Sequence, residues 1–548
     1  MFKVAVLDDI AQEGLDILDA HPDVEYVVYP SSDYADQGGK MTPEQVKVAL
    51  AEADGAIFRS RQKATPDVLE GNKRLKAIAR AGVGTDNIDK QAATRQGIVV
   101  MNTPDGNTIS TAEHAFTLMA SLSRNVPAAH QGLVEGRWDR KLYMGTQLAG
   151  KTLGIVGVGR IGQEIAKRAQ AFDMKVIGSD PFLTNEQALK LGIEKVESVK
   201  DLLPRVDYLT VHTPKTPETE NMIDAEALEI IKPGCRVINC ARGGIYNEAA
   251  LVDGLNSGKL GGVALDVYDS EPCTDSPLFG MKNVVCTPHL GASTEEAQTQ
   301  VAVEACQLII NYLTTGEIRN SVNVGALDPQ TLNSLRGSLE VAYRLGVFLS
   351  QWYDGSASSC SVTFRGDIRS KDTGLLTSAF CAGLLERAIE GVSIINADVL
   401  LKERGVQLST QVQSELGKFA SSITAKVESN GAEYIAGGTL FGNEMPRLIR
   451  LGEFLLEAYL DGILLVFTHN DVPGIIGTVG TIFGNHEVNI AQMSVGRAGA
   501  DSNSAIGVLN LDSRPSQAAI DEVLAHPDIR SVHVIELPAS GERPAWLG

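Results

Sequence analysis

The chain has 548 residues, too many for one hydrophobic core, so three or four domains are expected. Its formal net charge of -20 disfavours nucleic-acid and membrane partners, because an acidic surface repels phosphate backbones and anionic lipid. The seven cysteines are scattered without a CxxC pair, which excludes a disulfide framework or zinc site and favours a reducing compartment.

The opening "MFKVAVLDD" reads as a strand and lacks the basic start and long apolar stretch of a signal peptide. No apolar run approaches about 18 residues, so no membrane span is expected. The expected location is the cytoplasm, or an organelle reached through a leader. Over the first hundred residues, strands are predicted at 3–8, 55–60, 75–82 and 97–104. An amphipathic helix is predicted at 42–53, where Pro43 suits a first turn. Strand and helix alternating at this interval imply a parallel sheet with right-handed crossovers. One long helix is predicted over 110–136.

A second alternating series opens at Lys151 with "KTLGIVGVG", "KVIGSD", "DYLTVHTP", "CRVINCARGG", "GGVALDVYDSEP" and "NVVCTPHLGAST". Each run is nearly continuously apolar, as in strands buried on both faces. Their carboxyl ends are where open parallel sheets bind ligands. A helix over 293–316, capped by Ser293 with Glu296, is expected to carry the chain back to the first domain. Past residue 325 the pattern is mixed. From about Gly462 it reads strand-helix-strand-strand-helix-strand, a ferredoxin-like module.

Gly157, Gly159 and Gly162 form G-x-G-x-x-G between an apolar strand and a helical pattern. The glycines permit a tight turn, close approach of a pyrophosphate and close strand-helix packing. Asp180 ends the next strand and is placed to accept from an adenosine ribose. Its charge opposes a 2′-phosphate, so NAD is favoured over NADP.

Three later strand tips carry Arg242, Glu271 and His289. Hydride transfer from a carbinol carbon needs a base for the hydroxyl proton, and His289 serves near neutral pH. Glu271 would fix the tautomer, and Arg242 would grip a carboxylate with its planar fork. Taken singly, Arg242 is as well read as a surface ion pair, Glu271 as a cap ahead of Pro272 and His289 as a core residue. Three successive tips behind a dinucleotide fingerprint favour catalysis.

"GVGRIG", "NCARGG", "DVYDSEP" and "TPHLGAST" resemble the motif set of the D-isomer-specific 2-hydroxyacid dehydrogenases. "EPCTDSPLF" and the C-terminal extension are similar to the family's long, four-domain form. The resemblance implies two Rossmann-like, doubly wound α/β domains, the NAD domain inserted into the first. These would be followed by an α+β intervening domain and a ferredoxin-like ACT domain. The boundaries are 1–104 (completed by 296–322), 105–295, 323–460 and 461–548. Cofactor contacts would fall on Val83, Arg160, Ile161, Asp180, Thr213, Cys240, Ala241, Asp266, Gly291 and Ala292. Substrate contacts would fall on Arg59, Ser60 and Asn107, with Arg140 and Lys141 reaching a neighbouring subunit's cleft. The implied reaction is NAD-dependent oxidation of 3-phosphoglycerate to 3-phosphohydroxypyruvate, the first step of phosphorylated serine synthesis. Arg61 and Lys63 extend the basic loop for a phosphate, but "RSRQKAT" departs from the family's usual "RSxT". Arg447 and Arg450 offer an anion site in the intervening domain. In the ACT module His469, Asp471 and Asn489 match positions for an L-serine effector, and sheet-edge pairing implies a homodimer or homotetramer. Alternative functions are hydroxypyruvate or glyoxylate reduction, and a non-catalytic NAD-sensing corepressor.

Overall fold

The computed structural model describes residues 1–548 apart from 326, 354, 414–418, 443, 499–502, 545, 547 and 548. Its first sheet joins β1 (Phe2–Val6), β2 (Val24–Val28), β3 (Gly55–Phe58), β4 (Ala77–Arg80) and β5 (Val99–Asn102) in the order β2-β1-β3-β4-β5. All its pairings are parallel.

The second sheet joins β6 (Thr152–Val156), β7 (Lys175–Ser179), β8 (Glu194–Lys195), β9 (Tyr208–Val211), β10 (Cys235–Asn239), β11 (Leu260–Leu265) and β12 (Val284–Cys286). Its order is β12-β11-β10-β9-β6-β7-β8, again parallel throughout. Strands such as β9 are buried at every residue, which explains their unbroken apolar runs. The order reverses between β6 and β9, and in such sheets the ligand crevice opens at that reversal, beyond the carboxyl ends. Only Val284–Cys286 of "NVVCTPHLGAST" is strand; the rest is loop.

The helix expected over 110–136 is divided into Thr108–Arg124 and Val126–Val134. Asn125 sits between them at φ 53°, a left-handed conformation that asparagine tolerates, and Pro127 occupies the first turn of the second helix. Proline lacks the N–H that a helix interior needs, so one continuous helix is ruled out there. The helix Glu295–Thr315 is capped by Thr294, one residue later than the sequence suggests; its hydroxyl accepts from Ala297 N at 3.2 Å. Val301, Ala305, Ile309 and Leu313 of this helix share a core with Val4, Ile57 and Ala79, so the chain does return to the first sheet.

A third sheet joins β13 (Ala357–Gly366), β14 (Gln407–Gln413), β15 (Ser421–Ser429), β16 (Ala432–Phe441), β17 (Met445–Leu451) and β18 (Phe454–Tyr459), in the order β14-β13-β15-β16-β17-β18. The fourth joins β19 (Ile463–Asn470), β20 (Ile490–Arg497), β21 (Ser504–Leu511) and β22 (Ile529–Glu536), in the order β20-β21-β19-β22 and antiparallel throughout. Leu465, Phe467 and Leu509 face its two helices, packing on Val479 and Phe483. The alternate residues Leu464, Val466, Ile506, Val508 and Ile535 join the core of the third sheet beneath the helix Pro329–Trp352. The two C-terminal modules therefore share one core.

Candidate active site

The candidate residues meet where the tips of the second sheet face the first. His289 follows β12 and holds φ 55°, a conformation that costs a non-glycine residue about 1–3 kcal/mol. The surroundings impose it. Asp266, at the end of β11, accepts from Leu290 N at 2.7 Å and Gly291 N at 2.8 Å, one carboxylate oxygen to each. Glu271 Oε2 lies 2.6 Å from His289 Nδ1, and its other oxygen accepts from Tyr268 N at 3.1 Å. A carboxylate only accepts, so Nδ1 carries the proton and Nε2 presents a lone pair. The imidazole stays 50% exposed, which leaves Nε2 accessible to a ligand.

The hydrogen bond donated to Glu271 raises the His289 pKa against the opposing effect of burial; the charges of Glu271 and Asp266 add to it, and Arg242 opposes it. Burial raises the Glu271 carboxyl, but the hydrogen bond and charge of His289 outweigh it, and its pKa is lowered.

Arg242 follows β10 and reaches across to the first sheet's loop, where Asp86 Oδ2 accepts from its Nε at 3.2 Å. A Cβ on Gly84 would stand 2.0 Å from Arg242 Nη2, so glycine makes room for the guanidinium. Arg59 donates from its backbone N to Asp8 Oδ2 at 2.7 Å and from Nη1 to Asp9 O at 2.8 Å, and its Nη2 contacts Gln298 Oε1. It lines an open cavity of about 650 Å³ with Ser293, Thr294 and Gln298, at the amino end of a 21-residue helix. Arg61 Nη1 pairs with Asp9 Oδ2 at 2.9 Å. Ser60 is exposed on the same loop.

The sequence reading missed Arg80, the last residue of β4. Its Nε is buried without a partner, and burial together with the charges of Arg242 and Arg59 pushes its pKa down to about 10. An arginine ending an otherwise Ala/Ile strand was the available signal. Asp86, His114 and Gln298 were missed as well, because only the assembled cleft gives them partners. Asn107 precedes the helix Thr108–Arg124 without capping it, and its buried Oδ1 has no partner. Arg140 and Lys141 lie exposed on the turn after the helix Val126–Val134.

The dinucleotide cradle fits its expected ligand. Gly157 holds φ 88°, and a Cβ there would stand 2.6 Å from His212 O. A Cβ on Gly162 would stand 2.2 Å from Gly157 O, while Gly159 faces open space. Arg160 opens the following 12-residue helix, with Ile161 behind it, so unpaired N–H groups face the glycine turn. Thr213 Oγ1 and His212 Nδ1 are buried without partners beside that turn. Asp180 accepts from Val158 N at 2.8 Å and Phe182 N at 2.7 Å and stays partly exposed. Val83 O accepts from Asn102 Nδ2 at 2.6 Å, Ala241 N donates to Asn239 Oδ1 at 2.9 Å, and Ala292 O accepts from Gln298 Nε2 at 2.6 Å. Cys240 is buried, which raises its thiol pKa and makes it inert.

In the last module, Asp471 pairs with Arg497 at 2.8 Å, and Asn489 Nδ2 donates to Asp512 Oδ2 at 2.7 Å. His469 is buried, bonded through Nδ1 to Asn470 O, and its Nε2 has no partner. Arg447 stacks over Tyr459, and Arg450 Nε donates to Gly452 O at 2.8 Å.

Residues 116–291 match the NAD binding domain of D-isomer specific 2-hydroxyacid dehydrogenases. Residues 334–452 match a D-3-phosphoglycerate dehydrogenase intervening domain, and residues 463–528 an ACT domain. The chain is 39% identical to a Synechocystis D-3-phosphoglycerate dehydrogenase, over 98% of this chain and 95% of that protein. It is 36% identical to a Methanocaldococcus jannaschii protein of the same name, over 98% and 100%. Among solved structures, the TT0316 protein of Thermus thermophilus superposes with a TM-score of 0.53 at 33% identity, over 58% of this chain and 99% of that one. The D-lactate dehydrogenase of Escherichia coli gives 0.51 at 27%, over 58% and 99%.

Proposed function

The chain belongs to the D-3-phosphoglycerate dehydrogenases, within the D-isomer specific 2-hydroxyacid dehydrogenase family, and from that premise we propose which of its residues carry the reaction. The reaction is oxidation of D-3-phosphoglycerate to 3-phosphohydroxypyruvate with NAD, the first step of phosphorylated serine synthesis. NAD, when bound, supplies the hydride acceptor. The chain supplies the rest. His289 Nε2 takes the C2 hydroxyl proton as hydride leaves the same carbon. Glu271 holds Nδ1–H and stabilises the imidazolium that forms. Arg242 exchanges Asp86 for the substrate carboxylate, and Asn107 donates to it.

The phosphate goes to the cavity beside Arg59 and Ser60, with Arg80 behind. Arg59 is the cation lining this cavity, and the amino end of the helix Glu295–Thr315 adds partial positive charge for a dianion, against the carboxylates of Glu13 and Glu295. The observation that carries this reading is the 2.6 Å His289–Glu271 pair, with Arg242 reaching Asp86 on the loop of the first sheet at 3.2 Å. The deciding experiment is steady-state turnover of D-3-phosphoglycerate against D-glycerate and hydroxypyruvate. Preference for the unphosphorylated acids refutes the phosphate assignment.

We assign the ACT domain an L-serine effector near His469, Asp471 and Asn489, tested by inhibition and isothermal titration. The exposed apolar segment 126–144 is assigned to a homodimer contact, with Arg140 and Lys141 facing the partner's crevice. No helix among the described residues is long and apolar enough to cross a membrane. All seven cysteines are free thiols, and the cytoplasm is the proposed compartment.

A further inference from the structure

We propose that His114 is a positioning residue for the reaction: with Asp266 and Thr287 it fixes the loop that presents the proton-accepting face of His289. The inference rests on His289 being the base. His114 lies in the middle of the helix Thr108–Arg124, two turns after Asn107 and far in sequence from Arg242, Glu271 and His289. Its Nε2 stands 3.2 Å from Asp266 Oδ1 and 3.0 Å from Thr287 Oγ1. Thr287 in turn donates its hydroxyl hydrogen to Asp266 Oδ1 at 2.6 Å. With that hydrogen committed and the carboxylate accept-only, His114 Nε2 must carry a proton, shared between two acceptors.

Thr287 is the second residue before His289, and its carbonyl is the acceptor for His289 N at 3.1 Å and for Tyr268 OH at 2.9 Å. Asp266 is fully buried and gathers His114, Thr287 and two loop amides on one carboxylate. A buried charge of this kind is tolerated only while its donors stay in place. Loss of the His114 donor would leave Asp266 to draw the loop amides or water toward itself, displacing His289 from its left-handed conformation.

Neighbouring positions on the same helix face repeat the theme. Ser110 Oγ lies 2.7 Å from Thr294 Oγ1, the cap of the returning helix. A Cβ on Gly291 would stand 3.4 Å from Thr111 Cγ2. Asn107, Ser110, Thr111 and His114 follow the i, i+3, i+4, i+7 spacing of one face. That face is a template against which residues 287–294 lie.

The test compares His114→Gln, which keeps a donor near the Nε2 position, with His114→Phe, which keeps a planar ring, and with Thr287→Val. The Phe and Val variants are expected to lose about tenfold to a hundredfold in kcat, as for a sub-ångström misplacement of a reacting group. The acid limb of kcat/KM should move to lower pH as Glu271 loses its hold on the ring. His114→Gln should recover most of kcat and the wild-type limb. Wild-type kcat and pH profile in all three variants overturn the inference. So does equal loss in Gln and Phe, which would make the ring a packing residue. His289→Gln run in parallel separates the layers, because full turnover there refutes the base assignment itself.

Discussion

His289 Nδ1 and Glu271 Oε2 are joined by a 2.6 Å hydrogen bond, although 18 residues separate them in the chain. The contact leaves Nε2 as the basic atom. His289→Gln is therefore expected to lose about 10²- to 10⁴-fold in kcat, the usual contribution of a positioned base. Affinity for NAD, measured by fluorescence titration, should hold within about twofold, because the cradle at Gly157 does not involve the ring.

Glu271→Gln has a defined sign. The carboxylate raises the His289 pKa, and oxidation needs the neutral imidazole. In the wild type the acid limb of kcat/KM should lie above the ordinary histidine value of about 6.5. Removing the charge lets that pKa fall, so the limb moves to lower pH while the plateau drops. A limb that stays in place would mean another group titrates.

The sequence was most legible where chemistry demands fixed residues at strand tips. The apolar runs from Lys151 to Cys286 map onto β6, β7, β9, β10, β11 and β12, and the glycine turn and the three tips could be read directly. In the first two sheets, two strands escaped. Glu194–Lys195 is only two residues long, and Val24–Val28 carries Glu25 and Tyr26 among its valines. The break at Asn125 was signalled by Pro127, but its flanks continue the helical period and read as one helix. Arg80 and His114 were passed over for a different reason. Each is a polar residue within an apolar pattern, and its partners come from distant elements. The shared core of the two C-terminal modules was equally invisible, since alternation within β19 shows two apolar faces but not what covers each one.

Asp180 is expected to set cofactor choice. Its carboxylate holds Val158 N and Phe182 N, so Asp180→Ala should loosen the turn as well as remove the charge. Asp180→Asn keeps an acceptor and removes only the charge. It should raise KM for NAD by about tenfold, one charge-assisted hydrogen bond, and narrow the preference over NADP. Initial-rate kinetics with both cofactors check this.

Arg344 binds the C-terminal modules together. It is 1% exposed, pairs with Glu340 at 2.8 Å, and donates to the carbonyls of Leu460, Ala539 and Glu542 at 3.2, 3.0 and 2.9 Å. Replacement by methionine strips those carbonyls of their donor and leaves Glu340 with only Arg543. A loss of about 3–5 kcal/mol is expected, as for a broken buried pair. Calorimetry should show residues 329–543 melting in one transition, at lower temperature in the variant. Separate transitions for the two modules would contradict the shared core.

The segment after the helix Val126–Val134 carries the last prediction. Trp138 and Met144 are 77% and 79% exposed, with Leu133 and Leu142 nearby, on a chain of net charge -20. Water-facing apolar side chains clustered over so short a stretch mark an interface. Arg140 and Lys141 lie between them, so a two-fold contact would carry cations along with the apolar anchors. Trp138→Asp with Met144→Asp puts like charges on both sides of such a contact. Light scattering coupled to size exclusion should then show a smaller assembly. If the cations reach the partner's crevice, KM for D-3-phosphoglycerate should rise in the dissociated protein more than KM for NAD. An unchanged mass would remove this segment from the interface, and an unchanged substrate KM after dissociation would confine each active site to its own chain.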